Sequence, residues 1–214
     1  MTPAARTARL PAALLLLLAG QLAGCTGVAW MAATLAPPKK IEAAYEMPRH
    51  KTVLVFVDDI LNPLHYQPIK GELTRRLNAE LDRQDLAGRT IPYERVAELT
   101  AATPQFDKLS VAEIGRKLGA DLVLYVHVDR FSLKDDEVNA LWQGRIHTTV
   151  RVVDVTEGLL WPKTPPEGYS LPPFETPATV DASPTYATRL TEELAYGISR
   201  RIAKLFYKHK ELRE

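Results

Sequence analysis

Few residues of this 214-residue chain combine type and spacing in a way that could do chemistry. His127 and His147 offer two imidazoles of the kind that bind Zn²⁺ or Cu²⁺. A third ligand, from Asp129, His65 or the segment 162–184, is needed before they could serve a metal-dependent hydrolase. Asp58-Asp59 with Asp129 makes a carboxylate set of the sort that holds Mg²⁺ through oxygen. Its spacing is too long for a phosphate-receiving pocket, and no lysine follows in a fitting place, so Asp58 and Asp59 are read as loop caps and Asp129 as a partner of Arg145. No serine sits in a Gly-x-Ser-x-Gly elbow, and the 11 glycines are scattered singly rather than gathered into a phosphate loop. The expectation is a protein that is not an enzyme and carries neither cofactor nor metal.

The remaining reactive side chain is the single cysteine, Cys25. Arg6 and Arg9 precede the apolar run Leu10–Leu18, and the segment closes on Leu22-Ala23-Gly24-Cys25. A basic start, a short apolar middle and small residues before a cut site describe a signal peptide. A spanning helix needs about 20 mainly apolar residues, whereas Gly20 and Gln21 interrupt this run. Leu22-Ala23-Gly24-Cys25 resembles the lipobox of bacterial lipoproteins, which implies cleavage between Gly24 and Cys25 and modification of Cys25 with acyl chains such as palmitate. Two or three chains anchor a protein stably where one does so only marginally. A soluble secreted chain with a chance cysteine and an uncleaved helical anchor are the weaker readings. Thr26-Gly27 lacks the aspartate that, by the same resemblance, retains lipoproteins in the inner membrane, so the outer membrane facing the periplasm is favoured.

Losing residues 1–24 removes two arginines and no acid, turning a formal net charge of +1 slightly negative. No global field is left to attract nucleic acid. No other cysteine follows, so the mature chain forms no internal disulfide and stands on its core, for which 46% apolar residues suffice. The expected organisation is a signal peptide at 1–24, a lipidated tether at 25–50 and an α/β domain at 51–214. In the tether, Trp30 suits the headgroup level and Pro37-Pro38 stiffens the chain.

The elements that must position any site follow from periodicity. Val53–Val57 is apolar on both faces, as in the middle of a helix-covered sheet. Ile69, Leu73, Leu77 and Leu81 form one stripe of a helix over about 67–83. Thr90-Ile91-Pro92 suits a short edge strand and Glu94–Ala101 a short helix. Ser110 and Glu113 have capping-box spacing, and Gly119 ends the helix they open. Strands are expected from Asp121 and over 141–155, paired as a hairpin whose partner numbers sum to 274. That register puts Leu122, Leu124, Val126 and Val128 on a core face and sets His127 against His147 and Asp129 against Arg145. Leu159-Leu160-Trp161 begins a returning strand. Seven prolines in 162–184 exclude regular structure there, although Tyr169, Leu171 and Phe174 should hold the loop on the surface of the fold. A final helix over 184–209, capped by Ser183, carries the stripe Tyr186, Leu190, Leu194, Ile198 and Ile202.

The run Val111–Tyr125, with its Gly119-Ala120-Asp121 step, and the later Asp154-Val155-Thr156-Glu157-Gly158 turn resemble a group of bacterial envelope lipoproteins. The group includes the curli-secretion-channel type, the penicillin-binding-protein activators and the N-terminal domain of the Tol-system β-propeller protein. The likeness covers roughly residues 51–161 and implies no catalytic residues. The chain departs from the channel type in lacking long amphipathic segments for a transmembrane barrel. The resulting expectation is a three-layer α/β domain with a mixed sheet, tethered to a membrane through Cys25. It would act as a binding or assembly module on a protein partner in the cell envelope, through a surface that includes His127, His147, Tyr169 and Phe174. An auxiliary subunit of an envelope transport or lipopolysaccharide-insertion complex is the second reading.

Overall fold

The Val-Leu-Val-Phe-Val run forms the middle of strand β1, Thr52–Asp58, and Val53, Leu54 and Val55 are almost completely buried. In the computed structural model, residues 40–58, 68–134, 141–180, 183 and 185–210 are described. The signal segment, Gly24, Cys25, most of the expected tether, Asp59 and His65 lie outside them. The chain divides into two units. One is Ile41–His209. The other comprises Met1–Lys40 with Lys210–Glu214, of which Lys40 and Lys210 are described. The folded unit thus starts ahead of residue 51: Met47 is buried, and the amides of Ala44 and Tyr45 donate to the Leu205 carbonyl at 2.7 and 3.1 Å.

After β1 come helix α1 (Pro68–Arg83), edge strand β2 (Arg89–Thr90), helices α2 (Tyr93–Ala102) and α3 (Val111–Leu118), and the long strands β3 (Leu122–Lys134) and β4 (Trp142–Asp154). Strand β5 (Gly158–Trp161), the two-residue strands β6 (Tyr169–Ser170) and β7 (Phe174–Glu175), and helix α4 (Tyr186–Lys204) complete the unit. The sheet order is β2-β1-β3-β4-β5, with β6 and β7 also on β4. β1 runs parallel to both β2 and β3, and the remaining pairings are antiparallel. From β1 the chain steps sideways to β2, then back past β1 to β3. Two right-handed crossovers in opposite directions must carry their helices to opposite faces. Accordingly, Ile69, Leu73, Leu77 and Leu81 of α1 share one core with Leu194, Ile198 and Ile202 of α4, whereas Val96 of α2 and Ile114 of α3 join Leu54, Phe56 and Val123 in a second. This is the expected three-layer mixed sheet.

Local chemistry fixes the joints. Ser110 and Glu113 form a complete capping box, and Gly119 ends α3 in the left-handed region at φ 74°. The chain then enters β3 through Asp121. Its carboxylate accepts from the Thr52 amide at 2.7 Å, and its carbonyl accepts from the Val155 amide at 3.1 Å. One residue therefore ties the starts of β1 and β3 to the end of β4.

That tie corrects the expected hairpin register by two residues. Leu122 faces Asp154, Leu124 faces Val152, Val126 faces Val150, and His127 faces Thr149. A shift of two leaves every side chain on its face, so the apolar pattern does not distinguish the two pairings. Beyond Val128–Thr148 the next pair is Arg130–His147, which leaves Asp129 as the extra residue of a bulge. Ser132, not Asp129, stands opposite Arg145.

The proline-rich segment is also more regular than expected. Its non-proline residues pair with the outer edge of β4 in short pieces, Thr149–Ser170 with Val150–Tyr169 and Arg145–Glu175 with Ile146–Phe174. Prolines between them cannot donate to a ladder, so pairing proceeds two residues at a time and the edge is blunted. The last helix is shorter than expected. It starts at Tyr186, whose amide donates to the Ser183 carbonyl at 3.0 Å, and it ends at Lys204. Thr185 occupies the cap position without a side-chain cap bond.

Candidate binding site at the carboxyl ends of the parallel strands

Where successive crossovers leave a central strand for opposite faces, the loops at its carboxyl end diverge and open a crevice, the usual ligand position in open α/β sheets. Here that point is the end of β1 beside β3, where Asp58 pairs with His127. On the face that carries α2 and α3, the first half of each strand is covered by Ile114 and its neighbours. The second half presents Asp58, Tyr125, His127, Thr149 and Arg151 to a cavity of about 490 Å³.

Asp58 is 6% exposed, and a buried carboxylate requires hydrogen bonds. Tyr125 supplies one, its hydroxyl donating to Oδ2 at 2.6 Å. Burial raises the Tyr125 pKa well above the usual phenol range, and the Asp58 hydrogen bond and charge add to the effect. The phenol is therefore a fixed donor at physiological pH. Register places Arg151 opposite, with its guanidinium 4.5 Å from the centre of the Tyr125 ring, a cation–π distance. Among the described residues, the buried Nε of Arg151 and Nδ1 of His127 find no hydrogen-bond partner.

The bulge aims the Asp129 carboxylate into this polar group. Thr149 Oγ1 donates to it at 2.9 Å, and His127 Nε2 and His147 Nδ1 lie 3.8 and 3.6 Å from its two oxygens. His147 Nε2 is 2.9 Å from Ser170 Oγ, so the proline-rich segment holds the outer imidazole. The two histidines are thus linked through Asp129 rather than across the ladder. Among the described residues, no group of three or more His, Cys, Asp or Glu could hold a metal ion.

On the other side of Asp58 lies a second cavity of about 430 Å³, mostly apolar, between the end of β1, α2 and the turn at Phe106. Asp58 lines both spaces.

The four residues expected to share a surface fall on opposite faces of the sheet. His127 and His147 belong to the polar cavity and its rim. Tyr169 instead packs 5.4 Å from Trp161, which in turn meets Phe206 edge-to-face, and Phe174 packs on the α1–α4 core under Arg201. Strand alternation explains the split, because Tyr169 and Phe174 pair with the core residues Val150 and Ile146. The site residues expected from the sequence do not include Tyr125, Thr149 and Arg151. Their signal was faint: polar residues at alternate positions of 145–151 on a face that no long helix covers.

No family model and no curated protein matches the sequence. Among the solved structures similar to this chain are bacterial lipoproteins. The PelC dodecamer from Paraburkholderia phytofirmans is 12% identical with a TM-score of 0.43, over 81% of this chain and 99% of that one. Lipoprotein GNA1162 from Neisseria meningitidis is 12% identical with a TM-score of 0.42, over 70% and 98%. Uncharacterized lipoprotein B from Nitrosomonas europaea is 11% identical with a TM-score of 0.34, over 79% and 89%.

Proposed function

We propose that this protein is a lipid-anchored lipoprotein of the bacterial cell envelope, cleaved before Cys25 and acylated on it. Its α/β domain is a non-enzymatic binding or assembly module that engages its partner at the crevice beside Asp58 and His127. The observation that carries the anchoring is Leu22-Ala23-Gly24-Cys25 behind Arg6, Arg9 and the Leu10–Leu18 run. The absence of aspartate after Cys25 supports an outer-membrane destination facing the periplasm. Tethering in the partner's compartment raises effective concentration, so a weak interface suffices.

Binding rather than catalysis is supported by how the polar groups are committed. Tyr125 is held as a donor to Asp58, and Asp129 is engaged by Thr149 with both histidines at its oxygens. Groups fixed by one another present a preset pattern of donors and acceptors, the basis of recognition in a small-molecule or protein site. The Gly119-Ala120-Asp121 step and the Asp154 turn support the grouping with the curli-secretion, penicillin-binding-protein-activator and Tol-system domains.

The test is metabolic labelling with an alkynyl palmitate in a Gram-negative host, followed by membrane fractionation. The wild-type chain is expected to take up label and sediment with outer membranes, and Cys25→Ser to lose the label and keep its signal segment. A Cys25→Ser chain that is labelled and fractionated like wild type would overturn the reading.

A further inference from the structure

We infer that a row of aromatic side chains, Tyr45, Trp161 and Tyr169, seats the domain on the headgroup layer of the membrane that holds its tether. This rests on the proposed anchoring through Cys25 and names the surface that the anchored domain turns to the bilayer. Among the described residues, Tyr169, Val180 and Tyr196 are the large apolar side chains left exposed. Tyr196 carries the guanidinium of Arg200 over its ring, whereas Tyr169, 41% exposed, ends a row of rings. Trp161 lies 5.4 Å from Tyr169, 6.3 Å from Tyr45 and 5.9 Å from Phe206. Phe206 is buried in the α1–α4 core, and Tyr45 and Trp161 pack against that core while remaining partly exposed. The row thus runs from the core to the surface on a rigid base. Each of its three outer members joins an apolar ring to a phenol or an indole N–H, the side-chain type that settles where one end is apolar and the other wet.

Position argues for lipid as the occupant. The chain enters the folded unit at Ile41, and the amides of Ala44 and Tyr45 pin it to the Leu205 carbonyl. Four residues span at most about 14 Å, so the row begins within that distance of the point where the tether arrives. The tether, residues 25–40, reaches at most about 55 Å when extended. A linker this short sets an effective concentration on the order of millimolar, so three rings of weak affinity suffice to stay seated. Charge then sets the lipid class. Lys51 stands 3.9 Å from Asp154, and Lys163 Nζ donates to the Leu159 carbonyl at 2.7 Å, beside Glu157 and Trp161. Burial raises the Tyr45 pKa and the charges of Asp154 and Glu157 add to it, so the phenol stays protonated. Cations next to the row are matched by carboxylates, in contrast to the polybasic clusters that draw anionic lipid, and a zwitterionic surface suits it. The seated domain keeps its crevice open, because Tyr125, His127 and Arg151 line the opposite face of the sheet.

The experiment uses the chain from residue 25, which retains the whole Ile41–His209 unit, with its single thiol coupled to a maleimide phospholipid in phosphatidylcholine–phosphatidylethanolamine vesicles. Trp30→Phe with Trp142→Phe leaves Trp161 as the one indole, and folding is checked by circular dichroism. Lipids brominated near the top of the acyl chains are expected to quench Trp161 at least twofold, at low and high salt alike and with or without added phosphatidylglycerol. Tyr169→Asp, which puts a charge at the exposed end of the row, should cut that quenching at least twofold. Should the double tryptophan variant misfold, amide exchange of the unaltered chain serves instead. Coupling should then slow exchange in residues 158–171 at least threefold and leave α2, on the opposite face, unchanged. No quenching, quenching abolished by salt, or quenching indifferent to Tyr169→Asp overturns the inference. So does a Trp161 that acrylamide cannot reach in the uncoupled chain, which would show the tether itself covering the row. Maleimide supplies the anchor whether or not a cell acylates Cys25, so failure here and failure of the labelling test are distinguishable.

Discussion

Tyr125 and Asp58 make the most consequential pair in the molecule, since each is buried and each answers the other's polarity. Removing the hydroxyl in Tyr125→Phe leaves a buried carboxylate short of one donor. The expected cost is about 1–3 kcal/mol, read as a lowered urea midpoint at pH 7. The raised Tyr125 pKa also has a pH signature. The folded state favours the protonated phenol, so this contribution is complete below the unfolded pKa near 10 and is lost as pH rises beyond it. The thermal midpoint of wild type should therefore fall more steeply above pH 10 than that of Tyr125→Phe. Asp154 works in the opposite direction. Its Oδ1 accepts from the Thr156 hydroxyl and amide at 2.6 and 2.8 Å and from the Glu157 amide at 3.1 Å, which lowers its pKa. That stability is present above the unfolded pKa near 4 and disappears as pH falls below it. Asp154→Asn should cost about 1–2 kcal/mol at pH 7 and progressively less as pH falls below 4, measured by urea denaturation across that range. The Asp154 turn was legible because Asp-Val-Thr-Glu-Gly is a local pattern. Tyr125 was not, because its partner is 67 residues away and the residues on either side of it in sequence, Leu124 and Val126, are apolar.

At the level of elements, periodicity and end signals placed β1, α1, α3 and the β3–β4 hairpin, since each carries its evidence within a few residues. What periodicity could not supply was registration. The apolar faces of β3 and β4 are equally satisfied by pairings two residues apart, and the choice between them rests on Asp121, which binds the Val155 amide and the Thr52 amide together. The bulge at Asp129 was invisible for the same reason, and with it the meeting of His127 and His147 at one carboxylate. The contact of α3 with β3 is close enough to test. A Cβ on Gly115 would lie 2.6 Å from Val123 Cγ2 and 2.8 Å from Val155 Cγ1, and Val123 is fully buried on a central strand. Alanine gains about 1 kcal/mol in helix propensity, but overpacking of this kind costs about 1–3 kcal/mol. Gly115→Ala should therefore be a net loss of about 1 kcal/mol in chemical denaturation, and an unchanged or higher midpoint would show that α3 stands off the sheet.

For the molecule as a whole, the three layers were legible because β1 is apolar on both faces and therefore needs helices on both. The opposite placement of α1 and of α2 with α3 then follows from crossover handedness, and it generates the crevice at Asp58 and His127 as a product of topology. The polar lining of that crevice is not legible in the sequence, because Asp58 comes from a strand more than 60 residues ahead of the hairpin that supplies Tyr125, His127, Thr149 and Arg151. The folded unit extends ahead of residue 51 because Met47 joins the core and Tyr45 packs against it, two isolated apolar anchors with no periodic pattern around them to signal it. Among the described residues no helix is long and apolar enough to cross a membrane. The proposed anchoring rests on Cys25 and the segment that leads to it. Intact mass spectrometry of the protein extracted from bacterial membranes tests this most directly. The account predicts a chain that begins at Cys25 and carries the added mass of two or three acyl groups. A chain that begins at Met1, or one that begins at Cys25 with a free thiol and amine, would contradict it.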